Sequence, residues 1–334
     1  MAHLPKYEKV KKQLLAQLRA GVYPAGERIP TREELIAEFS VTRTTINQAL
    51  RELVDCGVLA TSRRGGTIYT GQQPPRRVLI VSHLGRFPQT TEDSNEQIEV
   101  SLFRPLLYHA HEFHLEFVDS HRFKVAPENV ERCDCLVAVM PDDALLDRLL
   151  PFRERVLFIN RYGDKVNFIS TPHRAAVREL VAANIEAAGK DPQLFFLGLR
   201  NDNFVERERR AGFVDECANR SIFYRICDTD TFECEKVEAV LDELPIKPDR
   251  PVLMCAPSRN FTGAVIRWAR RRKLQFGRNF FYSDFDNLQA RRNTGEEVAS
   301  VGQDYDAMGK ELYQALRVWG DAPVRVFVDC LKNQ

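Results

Sequence analysis

From Arg77 onward, short apolar runs alternate with longer amphipathic segments almost without interruption. The runs have the composition of buried strands, and in chain order they read RVLIVSHL, HLEFVDS, CLVAVMP, RVLFINR, NFIS, QLFFLGL, SIFYRIC, PVLMCA, NFFYSDF, VASVG and VRVFVDC. Helical segments lie between them, including TPHRAAVRELVAANIEAAG, VERERRAGFVDECA and YDAMGKELYQALRVWG. This alternation predicts an α/β fold of parallel sheets with helices on both faces, and the number of strands predicts two sheets rather than one.

A pair of such sheets also predicts where a ligand binds. In open α/β sheets the ligand lies outside the carboxyl ends of the strands, and two sheets that face each other form a cleft there. Arg86 and Phe87 follow the first strand, so Arg86 is a candidate to clamp a polar ligand and Phe87 to stack on a sugar. A residue in a glycine-flanked loop is equally often only exposed, and this alternative stays open.

The N-terminal part of the chain has a different pattern, three helical segments followed by a hairpin. An apolar stripe between residues 4 and 20 predicts the first helix. Thr31 with Glu34 three residues later forms a capping box for a second helix at 32–39. After the third helix, the strand-like pieces VLATS and TIYT are joined by RRGG. This order predicts a winged helix-turn-helix, a DNA-binding fold.

The third helix begins with an unusual composition. Its first turns contain Thr, Arg, Thr, Thr and Asn, which lose side-chain freedom in a helix or compete for its backbone hydrogen bonds. Thr42 can cap this helix. Its apolar face consists of Ile46, Ala49, Leu50, Leu53 and Val54. Because the N-terminal end of a recognition helix enters the major groove, the composition is explained if these short polar side chains read DNA.

The chemistry of these side chains predicts their roles on DNA. Arg43 can contact guanine or grip a phosphate, and Asn47 has the donor and acceptor pair that matches adenine. Thr44 and Thr45 suit phosphate oxygens or a thymine methyl group. The predicted DNA contacts are Arg32, Thr42, Arg43, Thr44, Thr45, Asn47, Gln48, Arg63, Arg64, Gly65, Gly66 and Thr67. The alternative is that arginines such as Arg43 and Arg51 only solvate an exposed helix face.

The distribution of charge supports this interpretation. The whole chain has a net charge of +1, but residues 1–77 contain 13 Lys and Arg against 7 Asp and Glu, a net charge of +6. The remainder contains 35 against 40, a net charge of −5. A basic head on an acidic body is expected if only the head meets phosphate.

The segment GQQPPRR at 71–77 interrupts both patterns, since Gly and Pro-Pro cannot continue a helix or a central strand. We therefore predict a winged helix-turn-helix domain at 1–70, a linker at 71–77, and a two-lobed effector-binding and dimerisation domain at 78–334. We see no signal-peptide pattern and no apolar run near the roughly 18 residues of a membrane span, so we expect a cytoplasmic protein without a membrane partner. The eight cysteines lack CxxC or zinc-like spacing and predict free thiols.

Residues 7–69 resemble the head of the gluconate-repressor (GntR) family of bacterial transcription regulators. GVYPAGERIPTREELIAEFSVTRTTINQALREL and CGVLATSRRGGTIY carry the PxG–xxP connector, the V-[ST]-R-x-T turn, the A-L-x-x-L core and the G-G-T wing. Asn47 stands where the family usually has Arg, and Arg32 is followed by Glu33 because the usual basic residue is displaced. These departures change the expected base and phosphate contacts, so the operator sequence does not follow from the resemblance.

Residues 76–331 carry a second resemblance, to the effector domain of lac-repressor-type (LacI-type) regulators. Its landmarks are ERERRAGFVDECA, FFYSDFDNL and VASVGQDYDAMGKELYQAL. The resemblance implies a periplasmic-binding-protein-like (type I) fold, two lobes joined by three crossovers. It also implies that Arg209, in the R-x-x-G-[FW] motif, and Asp286, in the G-[FY]-D-[DN] motif, contact the effector. Asn160 closes the fourth strand of the first lobe and is the third residue carried over.

The chain departs from this second family at two places. Asp284 stands where Gly is usual, and Pro257-Ser258 replace a polar Asn-Asp pair. The hinge helix that lac-type repressors place in the minor groove is also absent, which agrees with the different head. These departures leave the fold expectation intact and the identity of the ligand open.

The predicted function is a sequence-specific DNA-binding transcription regulator, a repressor, controlled by a small polar ligand such as a sugar between the lobes. The predicted partners are double-stranded operator DNA with an imperfect palindrome and a second copy of the chain in a homodimer. We expect no enzyme, cofactor or metal site: GxSxG, P-loop, HExxH and GxGxxG motifs are absent, and HAHEFH at 109–114 lacks a third ligand at fixed spacing.

Three alternatives remain at this point. The body could serve only for dimerisation and bind no small molecule. The chain could be an α/β enzyme with a DNA-binding head. Arg209 and Asp286 could form a structural ion pair rather than a ligand site.

Overall fold

The computed structural model describes residues 5–61, 66–82, 93–189, 191–200, 203–320 and 322–332. Three predicted wing contacts, Arg63, Arg64 and Gly65, lie outside the described residues. The two predicted cleft residues Arg86 and Phe87 also lie outside them. Within the described ranges, none of the helices combines the length and the apolar character needed to cross a membrane.

The N-terminal head has the predicted order of three helices and a hairpin. Its elements are α1 (Lys6–Arg19), α2 (Arg32–Phe39), α3 (Arg43–Asp55), β1 (Leu59–Thr61) and β2 (Thr67–Tyr69). The capping box is present: Thr31 Oγ1 accepts from the Glu34 backbone N–H at 3.3 Å, and Glu34 Oε2 accepts from the Thr31 N–H at 2.7 Å. Thr42 caps α3 as predicted, accepting from the Thr45 N–H at 3.4 Å.

The connector before α2 pairs with β2 and fixes the hairpin to the head. Gly26 N–H donates to the Tyr69 carbonyl at 2.7 Å, and Ile29 N–H donates to the Thr67 carbonyl at 3.0 Å. β1 and β2 are antiparallel, with Thr61 opposite Thr67. The base of the wing is therefore held on both sides by backbone hydrogen bonds. Apolar side chains from all three helices and both strands form the core, namely Val10, Leu14, Leu15, Leu18, Ile29, Leu35, Ile46, Ala49, Leu50, Leu53, Val58, Leu59 and Tyr69.

The segment predicted as a linker, 71–77, overlaps strand β3 (Arg76–Ser82) at its last two residues. Strand β3 begins at Arg76, because the backbone there is already paired: the Arg77 N–H donates to Asp134 Oδ2 at 2.9 Å. Gln73 accepts from Arg19 Nε at 3.1 Å and donates to the Tyr69 hydroxyl at 2.7 Å, so this segment is hydrogen-bonded to the head. The domain boundaries themselves stay a prediction.

The body contains two six-stranded sheets, as predicted. Its first half has the elements β3 (Arg76–Ser82), α4 (Asp93–Tyr108), β4 (Phe113–Asp119), α5 (Pro127–Glu131), β5 (Cys135–Val139), α6 (Asp143–Leu149), β6 (Val156–Ile159) and β7 (Asn167–Ser170). Its second half has α7 (His173–Ala188), β8 (Gln193–Leu199), α8 (Phe204–Asn219), β9 (Tyr224–Thr229), α9 (Cys234–Asp242), β10 (Val252–Cys255), α10 (Thr262–Arg271), β11 (Phe280–Phe285), α11 (Ala290–Thr294) and β12 (Val298–Gly302). The chain closes with α12 (Tyr305–Arg317), β13 (Arg325–Phe327) and β14 (Leu331–Lys332).

The strand orders show how the chain passes between the two sheets. One sheet has the order β13-β7-β6-β5-β3-β4 and the other β14-β12-β11-β10-β8-β9. The chain therefore crosses three times, between β7 and α7, between β12 and α12, and between β13 and β14. Neighbouring strands in the second sheet are parallel, with Met254 opposite both Phe195 and Tyr282, except that β14 runs antiparallel to β12. The two-lobed prediction is confirmed in this topology.

Two local predictions were wrong. The run VRVFVDC is not one strand, since β13 ends at Phe327 and the chain then crosses to form β14 in the other sheet. The run SIFYRIC starts its strand only at Tyr224, because Ser221 has a left-handed φ of 54° where the chain leaves α8.

The glycine of the R-x-x-G-[FW] motif has a packing role. A Cβ at Gly212 would lie 2.3 Å from the Arg174 carbonyl oxygen of α7. Only glycine therefore allows α8 to approach α7 this closely. Phe213 next to it is fully buried between these helices and the sheet. The motif thus fixes α8 so that Arg209, one turn earlier, reaches the carboxyl ends of the strands.

Candidate DNA-binding face and effector site

The polar face of α3 is exposed as predicted. Thr42, Arg43, Thr44, Asn47 and Gln48 are all exposed, while the apolar face of the helix is buried in the head. A groove runs between this helix, α2 and the hairpin, and its polar lining consists of Arg32, Arg43, Asn47, Arg51, Thr61 and Thr67. Six polar side chains thus line one groove beside the N-terminal half of the recognition helix.

Asn47 and Arg32 contact each other across this groove. Arg32 Nε donates to Asn47 Oδ1 at 3.0 Å, which joins the first residue of α2 to the second turn of α3. The Asn47 oxygen has a second lone pair, and its amide N–H groups remain available as donors. Asn47 can therefore still offer the acceptor and donor that match adenine, and Arg32 fixes the orientation of its amide.

Arg43 is held only weakly in the free head. Its Nη2 lies 3.7 Å from Glu33 Oε1, and the two side chains are 70% and 71% exposed. Exposed ion pairs of this kind contribute about 0–1 kcal/mol. Because DNA phosphate or a guanine edge can replace Glu33 at little cost, Arg43 is suited to the contact predicted for it.

Four of the predicted DNA contacts also have a structural role in the head. The Thr42 and Thr45 hydroxyls lie 2.9 Å apart, so both belong to the cap of α3. Thr67 is only 8% exposed and is paired with Thr61 in the hairpin. A Cβ at Gly66 would lie 3.1 Å from Arg28 Nε, so the backbone passes close to Arg28 there. DNA contact by these residues stays a prediction.

In the body, the structure brings Arg209 and Asp286 together. Arg209 Nη2 donates to Asp286 Oδ2 at 3.1 Å, and its Nη1 donates to the Pro257 carbonyl at 2.6 Å. Its Nε lies 3.4 Å from His173 Nδ1, and the guanidinium carbon stacks 3.5 Å from the centre of the Phe285 ring. The side chain of Arg209 is 3% exposed. The guanidinium is thus fixed by contacts from the ends of two strands, β10 and β11, and from the start of α7.

Asn160 joins this pair through Gln303. The Gln303 side chain donates from Nε2 to Asp286 Oδ2 at 3.1 Å, and its backbone N–H donates to Asp286 Oδ1 at 3.1 Å. Its Oε1 accepts from Asn160 Nδ2 at 2.6 Å. Asn160 follows β6 in one sheet and Gln303 follows β12 in the other, so a continuous polar chain crosses between the lobes at the carboxyl ends of their strands.

The backbone at these strand ends is strained. Asn160 has φ 54° and Asp286 has φ 65°, both in the left-handed region. Met140, after β5, has φ 44°. For residues other than glycine such angles cost roughly 1–3 kcal/mol each, and they concentrate at ligand sites. The strain turns the chain sharply after each strand and directs these residues toward the space between the lobes.

Two further ionisable groups border the cluster, and both remain neutral near pH 7. Burial lowers the pKa of His173 well below its ordinary value, and the adjacent Arg209 charge adds to this. Burial also raises the pKa of Tyr305, and the Asp286 carboxylate adds to this. His173 can therefore act as an acceptor for Arg209, while Tyr305 can act as a hydroxyl donor or a stacking surface.

Asp284, which replaces the usual Gly, is fully buried beneath the cluster. Its Oδ2 accepts from the Thr262 hydroxyl, and from Asn287 Nδ2 at 2.7 Å. Within the described part of the chain, its Oδ1 has no hydrogen-bond partner. Burial raises the pKa of Asp284 to about 6, although the hydrogen bonds from Thr262 and Asn287 partly oppose this.

Sequence reasoning missed Gln303, His173 and Tyr305. Gln303 directly follows β12, so the rule that selected Arg86 and Phe87 after β3 could have selected it too. His173 and Tyr305 begin the helices that follow two of the three crossovers, which could not be placed before the topology was known. Among the described residues, no group of three His, Cys, Asp or Glu is arranged to hold a metal ion.

Comparison with known proteins identifies the head. Residues 6–68 match the sequence model of the bacterial regulatory proteins of the gntR family, which confirms the predicted GntR-type head. The probable fructoselysine utilization operon transcriptional repressor of Shigella flexneri is 36% identical over 105 residues, covering 30% of this chain and 43% of that protein. The chain spans less than half the length of the curated relatives that it matches first.

Solved structures match the body. A regulatory protein of the LacI family from Chloroflexus aggregans has a TM-score of 0.61 at 17% identity, covering 76% of this chain and 96% of that chain. The transcriptional regulator CelR in complex with cellobiose has a TM-score of 0.57 at 16% identity, covering 91% of this chain and 99% of that chain. At these identities the likeness shows the fold, and it confirms the predicted two-lobed α/β class.

Proposed function

We propose that this chain is a sequence-specific DNA-binding transcription repressor controlled by a small polar ligand, a sugar or sugar derivative. The GntR-type head supplies DNA binding, and the two-lobed body supplies the ligand site. We place the protein in the cytoplasm, where it meets its operator, and assign it no catalytic activity. The observation that carries the proposal is the polar chain Arg209–Asp286–Gln303–Asn160, which joins the two lobes at the carboxyl ends of their strands and whose two end residues are buried.

The chemistry of this chain suits the hydroxyl groups of a sugar. Arg209 offers several N–H donors and Asp286 several lone pairs, and the amides of Gln303 and Asn160 offer both. Tyr305 can cover an apolar sugar face. From the sequence alone, we propose the same role for Phe87 and a clamping role for Arg86. That a protein with the same body fold is known in complex with cellobiose supports this ligand class.

We propose a switch in which the ligand replaces hydrogen bonds that now join the lobes. Gln303 uses one of its two amide N–H groups on Asp286 and one of its two carbonyl lone pairs on Asn160, so a bound sugar that needs more than the remaining donor and acceptor must replace one of these contacts. Ligand binding therefore changes how the lobes are connected, and the change reaches the heads through residues 71–77. A ligand can shift the DNA-binding equilibrium only by its difference in affinity for the two arrangements.

The test is sugar binding by the full chain and by matched variants, measured by calorimetry against a panel that includes cellobiose and arabinose. Arg209→Ala and Asp286→Ala should each weaken binding of the active sugar at least about tenfold, because each removes a charge-assisted hydrogen bond. Arg270→Ala, an exposed arginine paired with Glu296, is the control and should bind normally. Unchanged affinity in folded Arg209 and Asp286 variants contradicts the site. A dimer that binds no member of the panel favours the dimerisation-only alternative.

We also propose a homodimer on an imperfect palindrome. One winged head makes too few contacts for specific affinity, and paired half-sites are the usual solution. Leu107 and Tyr108, at the end of α4, are 57% and 78% exposed, and Phe117 lies on β4, the edge strand of its sheet. Exposed apolar side chains and sheet edges are both common in protein interfaces. Light scattering at micromolar concentration should give a dimer, and a monomer that still binds operator tightly contradicts the proposal.

A further inference from the structure

A second charged cluster lies at the carboxyl ends of strands from both sheets. Arg161 directly follows Asn160 after β6, Asp143 begins α6 after β5, and Arg207 lies in the first turn of α8 after β8. Asp143 accepts from Arg161 Nη2 at 2.7 Å and from Arg207 Nη2 at 2.8 Å and 2.9 Å. The ends of two strands from one sheet and one strand from the other therefore meet here, where ligands of this fold class bind.

The guanidinium of Arg161 is buried and incompletely satisfied. Arg161 is 9% exposed, and its guanidinium carbon lies 4.2 Å from the centre of the Phe204 ring, at the start of α8. Nη1 is buried and has no hydrogen-bond partner among the residues that the structure describes. A buried charged donor without an acceptor is costly, so the site is built for an acceptor that the protein itself does not provide.

The local charges favour an acceptor that is an anion. Arg161 and Arg207 both donate to Asp143, whose pKa is lowered by the hydrogen bond from Arg161 and by both positive charges. Glu208, the next carboxylate on α8, accepts from the Tyr162 hydroxyl at 2.6 Å, and its charge acts on Arg174. Within the cluster of Arg161, Asp143 and Arg207, two guanidinium groups therefore meet one carboxylate.

We propose that Arg161 binds an anionic oxygen of the effector, a carboxylate or phosphate, so that the effector is an acidic sugar derivative rather than a neutral sugar. The inference rests on the proposed function, because it assumes that a ligand occupies the space between the lobes. Arginine suits both anions, since its planar fork matches their oxygens and its charge strengthens the hydrogen bond.

One ligand can reach both clusters. Asn160 and Arg161 are consecutive residues, with Cα atoms about 3.8 Å apart. Asn160 belongs to the polar chain Arg209–Asp286–Gln303–Asn160, which we propose binds the hydroxyl groups of the ligand. The acidic group of the same molecule then contacts Arg161, while Asp143 and Phe204 fix the guanidinium in place. Arg161 is thus a specificity-determining residue that separates acidic from neutral sugars.

The test compares matched ligands on the full chain by calorimetry. Each set contains a neutral sugar, its sugar acid and its phosphate ester, for example glucose, gluconate and glucose 6-phosphate, with the same sets for mannose, fructose and arabinose. The variants are Arg161→Gln, which removes the charge, and Arg161→Lys, which keeps it without the planar fork. Arg132→Gln is the control, because Arg132 is a half-exposed arginine paired with Glu116 elsewhere in the body. Thermal unfolding verifies that each variant is folded.

The expected result is that one acidic member binds the wild-type protein at least about tenfold more tightly than its neutral parent. Arg161→Gln should abolish that preference, Arg161→Lys should keep part of it, and Arg132→Gln should keep all of it. Comparing the affinity for the sugar acid with that for the phosphate ester shows whether Arg161 prefers a carboxylate or a phosphate. If a neutral sugar binds as tightly as its acidic derivatives, or if Arg161→Gln keeps the preference, the inference is overturned while the proposed function stands. If no member of any set binds, both fail.

Discussion

Arg43 in the head is 70% exposed, and its nearest carboxylate lies 3.7 Å away. Arg209 in the body is 3% exposed and contacts His173, Pro257 and Asp286. In the head, Arg43 therefore has only a weak contact to give up, whereas in the cleft Arg209 and Asp286 are already hydrogen-bonded to their neighbours. DNA can add contacts to the head without breaking strong ones. A ligand in the cleft must exchange existing hydrogen bonds, and such an exchange can change the conformation of the protein.

The largest expected effect separates the two arginines by their contribution to stability. Arg209→Ala should lower the free energy of unfolding by about 3–5 kcal/mol, because it leaves the partners of a buried charge unpaired. The partial exposure of Asp286 places the value toward the lower end. Arg43→Ala should change it by less than about 0.5 kcal/mol, since its ion pair with Glu33 is exposed. Urea unfolding measures both, and similar losses for the two variants would break the comparison.

A second prediction concerns the buried carboxyl of Asp284. Burial raises its pKa to about 6, so between about pH 4 and pH 6 the folded protein holds this proton more tightly than the unfolded chain. The free energy of unfolding therefore falls as the pH rises through this range, and the loss is complete above about pH 6. Asp284→Asn should stabilise the protein at pH 8 by about 2–3 kcal/mol, since one pKa unit is about 1.36 kcal/mol.

The same substitution should have almost no effect at pH 4, where Asp284 is protonated in the folded protein. Asp249→Asn, at an exposed aspartate of the same lobe, is the control and should show no such pH dependence. Urea unfolding at the two pH values makes the comparison. A stabilisation of equal size at pH 4 and pH 8 would rule out ionisation of Asp284 as its cause.

A third prediction concerns sequence readout by the head. Arg43→Ala should weaken operator binding by about 1–3 kcal/mol and relax the preference at one base pair, if Arg43 reads a base. Arg64→Ala, in the wing, should weaken binding to all DNA similarly and reduce the salt dependence. Fluorescence anisotropy with operator and unrelated duplexes separates the two. Equal, sequence-independent losses would mean that Arg43 contacts only phosphate.

The smallest expected effect concerns the cap of the recognition helix. Thr42→Ala removes the side-chain acceptor for the Thr45 N–H and should cost about 1 kcal/mol of stability. Thr42→Ser keeps the hydroxyl and should be nearly neutral. If both variants lose the same stability, the Thr42 methyl group rather than its hydrogen bond stabilises the head.

Much of the head could be predicted because its determinants are local. The Thr31–Glu34 capping box and the Thr42 cap depend on residues three positions apart, and the apolar spacing of α3 fixes its buried face. The same holds for strands such as β7, which has the predicted bounds. Local patterns do not predict where the chain leaves one sheet for the other. The run VRVFVDC is an example, because a crossover divides it between the two sheets.

The candidate effector site could be predicted only in part. Arg209 and Asp286 were found through motifs and do lie together. Gln303 joins Asp286 to Asn160, and this link depends on the crossover after β12, which only the folded topology reveals. Arg161 and Asp143 are separated by a helix and a strand in sequence, and their pairing with Arg207 spans both lobes. Contacts of such range follow from the fold and not from spacing.

The most direct test of a ligand-controlled regulator is the coupling between its two sites. The sugar or sugar derivative that binds best is titrated calorimetrically into free protein and into protein saturated with operator duplex, and operator affinity is measured with and without that ligand. We predict that ligand affinity differs by about 5–150-fold between the two states, and that the ligand changes operator affinity by the same factor, as linkage requires. Equal ligand affinity in free and DNA-bound protein would contradict the account, because a ligand that does not distinguish the two states cannot control DNA binding.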